Sequence, residues 1–367
     1  MSLFFFLLLI GKKNKTLADN SLLCMFAVYA LTIGGPYIEI YNRDNDFPYP
    51  HLLNNAWLFL LLHGPLLWLY VKSLTVKDFK IKPLHLLHLA PFAVFLALHI
   101  QNYLLLSAEE KILLAENELF TTTVFFKIRG ISIGISSIGY NIWAFRLLQK
   151  HRKNIEHQFS NIEKIDLLWL KTLVIASLIV FSVNVFLFNI NNYLHFAGFY
   201  EIALIAYSFS TVYVFFIGYF GIRQGRIFVD YPIKEIEQRL ESINQDSPGT
   251  GKKKDYSHII SRLTILMESE QPYLDPELNL ARLSSLMKTK PEIISEVLNS
   301  TMNQNFFDFI NKYRIEEFKL KCLSTENKHL SVLGIAYDCG FNSKAAFYRA
   351  FNKFEGISPT AYISKVS

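Results

Sequence analysis

The sequence predicts an all-α protein, in which a seven-helix transmembrane bundle is followed by a cytoplasmic domain of two helix-turn-helix units. Three observations predict this class. Apolar residues form long runs up to about residue 222, and the loops between the runs alternate between basic and acidic. The rest of the 367-residue chain has the composition of an ordinary globular domain, so we expect at least two domains.

Seven apolar segments divide the predicted membrane domain, residues 1–222. Their approximate bounds are 1–10, 20–41, 51–73, 84–106, 122–147, 167–190 and 198–222. Several of these runs exceed twenty residues with few charges, which favours membrane spans over buried core helices, since core helices are usually shorter. The first segment is too short to cross ~30 Å of hydrocarbon, so we expect a re-entrant piece or an incomplete span.

The charges of the loops predict the orientation of this domain. Basic residues follow the first, third, fifth and seventh segments, whereas acidic residues dominate after the second and fourth. Because basic loops lie on the cytoplasmic side, the N-terminus is predicted outside and everything after Arg223 in the cytoplasm. The predicted location is therefore the inner (cytoplasmic) membrane, crossed several times. Three scattered cysteines, Cys24, Cys322 and Cys339, predict no disulfide framework.

Four charged residues fall near the outer ends of the predicted spans: Glu39, Lys127, Arg129 and Glu201. An ionisable group in a bilayer costs ~2.5–3.5 kcal/mol on insertion scales, so each needs a partner or water. Two cations and two carboxylates at similar depth predict a polar pocket for an unknown signal ligand. The simpler alternative is ion pairing between helices or extension of the charged groups to the interface.

A linker, residues 223–256, separates the two predicted domains. Ile233–Asn244 has the apolar spacing of a short amphipathic helix, which is either a surface connector or a signalling helix that pairs with its copy in a homodimer. The following Gly- and Lys-rich stretch, 246–254, predicts a flexible hinge.

Two helix-turn-helix units are predicted in the cytoplasmic domain, residues 257–367, at about 278–299 and 331–354. In the second unit, Gly340 ends one helix and Ser343 caps the next. The next helix has an apolar stripe and a basic, polar face. The stripe consists of Phe347, Ala350, Phe351 and Phe354. A Phe-rich helix over 306–323 is predicted to pack both units together through Phe306, Phe309, Ile310, Tyr313 and Phe318.

Residues 278–362 resemble the double helix-turn-helix domain of AraC/XylS-type transcription regulators. The residues that carry the resemblance are Ile335, Ala336, Gly340, Phe341, Phe347, Arg349, Ala350, Phe351, Phe354, Gly356, Ile357, Ser358, Pro359 and Tyr362. The whole arrangement, with His63-Gly64-Pro65 and Pro91-Phe92, is similar to multi-span membrane regulators of this type from Bacteroidetes-type bacteria. The chain departs from the family at Lys290 and Ala345, where Ser is usual, and at Phe318, where the residue is usually small.

The resemblance implies that two helices enter successive major grooves of double-stranded promoter DNA, about one turn or ~34 Å apart. The candidate contacts in the second helix-turn-helix unit are Lys344, Tyr348, Arg349, Ser343 and Lys353. The weaker candidates in the first helix-turn-helix unit are Ser295 and Glu292, both predicted to face outward. Because phosphate neutralisation supplies most non-specific affinity, the basic second unit is predicted to anchor the domain. For Arg349 the alternative is an ion pair with a carboxylate such as Asp338.

The function predicted from these features is a membrane-bound regulator that senses a signal through its spans and binds promoter DNA sequence-specifically. Its predicted partners are promoter DNA, the lipid bilayer and the unknown ligand, and a homodimer is left open. No nucleotide loop, metal-ligand set or nucleophile–base constellation stands out, so we expect no enzyme activity, metal or cofactor. The alternatives are a transporter or membrane enzyme with an appended regulatory domain, and a DNA tether without a sensing role.

Overall fold

The computed structural model describes residues 1–76, 78–117, 123–163, 165–194, 197–223, 256–327 and 329–366. These residues form helices, joined by loops that contain an isolated antiparallel bridge between Phe159 and Asn279. The all-α class is thereby confirmed. Contacts divide the chain into two units: Met1–Gln149 with Leu167–Arg226, and Lys150–Asp166 with Ile227–Ser367. The segment Lys150–Asp166, which lies between two predicted spans in the sequence, therefore belongs with the C-terminal unit.

The first unit is built from helices, several of which are long and apolar. They are α1 (Ser2–Ile10), α2 (Leu17–Asp44), α3 (His63–Thr75), α4 (Ala90–His99), α5 (Ala108–Glu116), α6 (Val124–Glu156), α7 (Leu168–Leu194) and α8 (Phe199–Arg223). Short 3-10 turns over Ala56–Leu62 and Pro83–Leu89 lead into α3 and α4, and a π turn over Ile100–Leu104 extends α4. Helices thus cover each of the seven apolar segments.

Among the described residues, five helical stretches are long and apolar enough to cross a membrane, as judged by length and composition. They are Leu17–Asp44, Pro50–Thr75, Pro83–Leu104, Leu168–Asn191 and Glu201–Gly221. The first and fifth predicted segments are not among them. The 9 residues of α1 span only about 14 Å, and α6 carries Lys127 and Arg129 in its first two turns. A seven-span bundle therefore stays a prediction.

Two stretches that the sequence analysis treated as loops are wholly or partly helical. The acidic loop after the fourth segment contains α5, because Ser107 and Glu110 form a capping box at its start. The basic loop after the fifth segment is helical as far as Glu156, since α6 has 33 residues. The predicted linker helix, 233–244, and the hinge, 246–254, lie outside the described residues.

The short helix α1 packs firmly despite its length. Phe5 and Leu9 are buried, and Phe5 stacks on Phe26 of α2 with ring centroids 5.3 Å apart. Gly218 of α8 lies so close to the Phe5 ring that a Cβ atom would overlap it. Small residues at helix contacts allow this kind of close approach in membrane proteins.

In the described part of the second unit, shorter helices pack mainly around two large apolar clusters. They are α9 (Ser257–Ser269), α10 (Leu280–Leu286), α11 (Pro291–Glu296), α12 (Phe306–Leu323), α13 (Val332–Asp338), α14 (Lys344–Glu355) and α15 (Pro359–Val366). A π turn over Val297–Thr301 continues α11. The pairs α10–α11 and α13–α14 occupy the positions predicted for the two helix-turn-helix units.

Helix α12 contributes to both clusters, as the Phe-rich pattern predicts. The first cluster includes Phe306, Phe309 and Ile310, packed with residues of α9, α10 and α11. The second includes Ile315 and Phe318, packed with residues of α13 and α14. Phe318 is fully buried against Phe347, with ring centroids 4.7 Å apart. Helix α12 therefore fixes the two helix-turn-helix units to each other. Tyr313, which was also predicted to pack there, is only partly buried.

The turn between α13 and α14 requires glycine. Gly340 has φ +87°, which is in the left-handed region that L side chains rarely adopt. A Cβ atom there would lie 2.5 Å from the Tyr273 carbonyl oxygen and 2.9 Å from Arg314 Nε. The second helix-turn-helix unit, α13–α14, can therefore approach α12 and the 273–275 turn this closely only with glycine at this position.

We expect Gly340→Ala to destabilise the C-terminal unit more than Gly356→Ala. Gly356 also has a positive φ, +69°, but nothing lies within 4 Å of its Cβ position. Gly356→Ala carries only the backbone penalty, about 1–2 kcal/mol, whereas Gly340→Ala adds overlap with backbone and a buried cation. Urea unfolding of the detergent-solubilised full chain, with proteolysis of the C-terminal unit as the readout, measures the loss of stability in each variant. Equal losses of stability would contradict this account.

Candidate nucleic-acid interface

Helix α14 presents a basic face of the second helix-turn-helix unit. Ser343 caps it by accepting a hydrogen bond from the Ala346 N–H at 3.1 Å, and Gly356 ends it in the left-handed conformation. Its buried face consists of Phe347, Ala350 and Phe351. Its exposed residues are Lys344, Ala345, Arg349, Asn352 and Lys353. The predicted division of this helix into a core face and a wet face is therefore what the structure shows.

The three cations of α14 differ in their surroundings. Lys344 Nζ lies 5.5 Å from the Tyr348 ring centroid, and within the described part of the chain it forms no ion pair. Lys353 Nζ contacts both Asp308 carboxylate oxygens, at 2.6 and 2.7 Å. Arg349 lies between these extremes. Lys344 is thus the α14 cation best placed to meet a phosphate.

Arg349 pairs with a carboxylate, though not with the one considered in the sequence analysis. Its Nη1 lies 3.6 Å from Asp166 Oδ2, and its side chain is 43% exposed. Its Nε also donates to the Ala345 carbonyl oxygen at 3.3 Å. The partner is therefore Asp166 and not Asp338, and more than a third of the side chain still faces solvent.

In the first helix-turn-helix unit, the candidate DNA contacts are less exposed than predicted. Ser295, predicted to face outward, is buried with 4% of its surface exposed, and its Oγ accepts a hydrogen bond from the Asn299 side chain at 3.2 Å. That orientation was wrong because the buried side of this helix is wide: Ile294, Val297 and Leu298 are buried together with Ser295. Glu292 is half-buried. Lys290, where the family usually has Ser, caps α11 without a side-chain hydrogen bond.

A buried arginine that the sequence analysis did not single out lies behind both units. Arg314 of α12 is 1% exposed, and its guanidinium donates to the carbonyl oxygens of Tyr273 at 2.7 Å and Asp275 at 2.8 Å. Burial lowers the pKa of Arg314 to about 10, so it remains cationic at neutral pH. The sequence feature that could have revealed Arg314 is its spacing, since Ile310, Arg314 and Phe318 fall at i, i+4 and i+8 on the buried stripe.

The second candidate site is a polar cluster among the long helices of the N-terminal unit, Met1–Gln149 with Leu167–Arg226. The Asn54 N–H donates to Glu39 Oε1 at 3.0 Å, and Arg129 Nη2 donates to Asn54 Oδ1 at 3.3 Å. Glu39 and Arg129 are 1% and 2% exposed. Asn54 therefore joins the two predicted residues in one buried network.

The other two predicted members do not join this network. Lys127 is exposed, two residues before Arg129 on α6. Glu201 is also exposed, and its carboxylate accepts a hydrogen bond from the Gly198 N–H at the start of α8. The predicted four-residue cluster is thus reduced to Glu39 and Arg129, because the helical spacing turns Lys127 away from the buried side. His195, also near this face in the sequence, is outside the described residues.

We expect Lys344→Gln to weaken binding to duplex DNA and to reduce its salt dependence. Each phosphate contact contributes about 0.9 to the slope of log K against log salt concentration, so loss of one contact lowers the slope by about that amount. Lys353→Gln removes the same charge from a side chain already held by Asp308, so its effect on the slope is expected to be much smaller. Fluorescence anisotropy over a salt series measures both, and equal changes would contradict the different roles.

A comparison with protein families gives a match to the domain that contains α14. Residues 283–365 match a family model described as a helix-turn-helix domain. Comparisons with curated proteins and with solved structures find no match. The matched range includes α11 to α14 and the basic face of α14. It supports an AraC-type regulator that binds double-stranded DNA through its C-terminal domain.

Proposed function

We propose that this protein is a membrane-bound transcription regulator, which senses a signal through its spans and binds promoter DNA sequence-specifically through two helix-turn-helix units. The observation that carries the proposal is the presence, in one chain, of a matched helix-turn-helix domain and of five helices apolar enough to cross a membrane. The five helices precede the domain in the sequence, so the chain combines an N-terminal membrane part with a C-terminal output.

Sequence readout is assigned to the exposed face of α14. Lys344, Tyr348 and Arg349 occupy the first turns of this helix, with Ser343 at its cap. In helix-turn-helix proteins the N-terminal part of the second helix contacts base edges in the major groove. Arginine can bind guanine through two hydrogen bonds, and lysine neutralises phosphate. The buried Ser295 and half-buried Glu292 leave α14 as the principal anchor.

The proposed topology has seven spans, an external N-terminus and a cytoplasmic C-terminal domain. Two features together support a cytoplasmic output. Basic loops alternate with acidic ones in the sequence. In addition, the segment Lys150–Asp166, which follows the fifth predicted span, belongs to the same unit as the helix-turn-helix domain. Because residues that pack together occupy one compartment, this loop and the C-terminal domain are expected on the same side.

The input is assigned to the buried network of Glu39, Asn54 and Arg129. A buried guanidinium is costly in a bilayer unless its donors are satisfied. Arg129 also lies over the Phe126 and Phe125 rings, at 5.1 and 5.6 Å from their centroids. Among the described residues, its Nη1 has no hydrogen-bond partner. A ligand with a hydrogen-bond acceptor fits this donor, so the network is our candidate for the signal pocket.

We expect Arg129→Ala to abolish the response to the signal, while Lys127→Ala leaves it intact. Both variants remove one positive charge from the first two turns of α6, but only Arg129 joins the buried network. The readout is a reporter driven by a promoter recovered from genome-wide mapping of bound DNA, across growth media in which the wild-type output varies.

Both variants must be present at the wild-type level in membranes washed with alkaline carbonate. An unchanged response of Arg129→Ala at that level would refute the pocket. Release of the wild-type protein by the wash would refute the membrane-bound part of the proposal.

A further inference from the structure

Residues 158–163, with Ile165 and Asp166, lie between α6 and α7 in the sequence and contact the helix-turn-helix domain directly. The Leu280 N–H donates to the Gln158 carbonyl oxygen at 2.9 Å, and the Ser160 N–H donates to the Leu278 carbonyl oxygen at 3.4 Å. These bonds flank the antiparallel bridge between Phe159 and Asn279. The segment therefore adds a short strand-like pairing to the residues that begin the first unit, α10.

The contact is buried and polar at its centre. The Ser160 carbonyl oxygen accepts hydrogen bonds from Asn311 Nδ2 at 3.2 Å and from Arg314 Nη1 at 3.4 Å. The Ser160 hydroxyl accepts another from Arg314 Nη2 at 3.2 Å and donates to the Leu278 carbonyl oxygen at 2.6 Å. Ser160, Asn311 and Arg314 are each at most 2% exposed. An incidental surface contact would not bury a serine this completely between an amide and a cation.

An apolar cluster seals the same contact. Ile155, Phe159 and Ile162 are buried together, with Ile165 and Phe307 packed against them. Phe307 belongs to α12, the helix that joins the two apolar clusters of the domain, and the other four residues belong to 155–165. The segment therefore has both the directional and the apolar contacts of a specific docking site.

The segment ends on the DNA-facing helix. Asp166 Oδ2 lies 3.6 Å from Arg349 Nη1, and the Asp166 side chain is only 7% exposed. A carboxylate at this position neutralises a guanidinium that the proposed function assigns to bases or phosphates. An aspartate and a DNA phosphate cannot both occupy the same guanidinium edge, and their like charges repel each other.

We propose that residues 158–166 are an internal latch, which docks on the helix-turn-helix domain and competes with DNA for Arg349. This inference rests on the proposed function, because DNA is the competitor. The segment is held in the chain between α6, which carries Arg129, and α7. A signal that moves the ends of α6 and α7 next to this segment can thus release or engage the latch. No change in the linker at 223–256 is needed for this.

The first test compares two neutralised carboxylates of the latch in the full chain. Asp166→Asn is expected to tighten binding by about two- to fivefold, the range for a partly exposed ion pair. Glu163→Gln removes the same charge from the same segment and is expected to change the affinity little. The probe is a fluorescein-labelled mixed-sequence duplex of roughly 30 base pairs at about 50 mM salt, where phosphate contacts dominate. In an Arg349→Ala background, Asp166→Asn is expected to have no effect.

The second test locks the latch. Phe159 and Asn279 face each other as a pair without mutual hydrogen bonds, the closer type in antiparallel pairing. In Phe159→Cys/Asn279→Cys, the oxidised form is expected to bind the duplex at least about threefold more weakly than the reduced form of the same variant. The wild type under the same oxidant and reductant is the control.

Several results would overturn the latch while leaving DNA binding established. They are equal binding by Asp166→Asn and the wild type, equal tightening by Glu163→Gln, no disulfide in the double-cysteine variant, and equal affinity of its two forms. Absence of duplex binding by the wild type and by every variant would overturn both the latch and the proposed function.

Discussion

The buried guanidinium of Arg314 is the interaction on which the C-terminal unit depends most. Its donors reach the carbonyl oxygens of Tyr273 and Asp275, in the turn before the first helix-turn-helix unit, and both acceptors of Ser160. Its charge also lies 5.8 Å from the ring centroid of Phe341, which begins the turn into α14. A single cation therefore joins the entry to the first unit, the turn of the second unit and the 158–166 segment. A buried charge is stable only while such partners surround it, so these elements are expected to order together.

This constraint explains several neighbouring features. Gly340 is required because a Cβ atom at this position would overlap the Tyr273 carbonyl oxygen and Arg314 Nε. Helix α12 must be continuous, since the same 18 residues supply Phe309 to one apolar cluster and Phe318 to the other. With α12 fixed, the apolar face of α14 packs on Phe318, and its cations are held on the opposite, wet side. The orientation of α14 is thus a consequence of core packing, which leaves Lys344, Arg349 and Lys353 on the exposed side.

The sequence predicted the parts of the fold that depend on local patterns. Apolar periodicity located α12 and α14, and the Gly340 and Ser343 signals located the turn and the cap, because these are properties of neighbouring residues. It missed features that depend on residues far apart in the chain. Ser160 and Arg314 are 154 positions apart, and no helical spacing predicts that Asp166 meets Arg349. The outward position of Ser295 was wrong because the buried side of the helix includes Ser295 between Ile294 and Val297. Lys127 was grouped with Arg129 by depth, although Lys127 is exposed and Arg129 is buried.

The central claim is that the membrane-embedded chain reads DNA sequence through α14. Selection of duplexes from a random library by the full chain in lipid nanodiscs, followed by methylation interference on the enriched site, tests it most directly. The account predicts an enriched site with two interfering major-groove segments about one turn, ~34 Å, apart, of which one loses its interference in Arg349→Ala. Failure to enrich any sequence, or an enriched site that Arg349→Ala and Lys344→Gln bind as the wild type does, would contradict it.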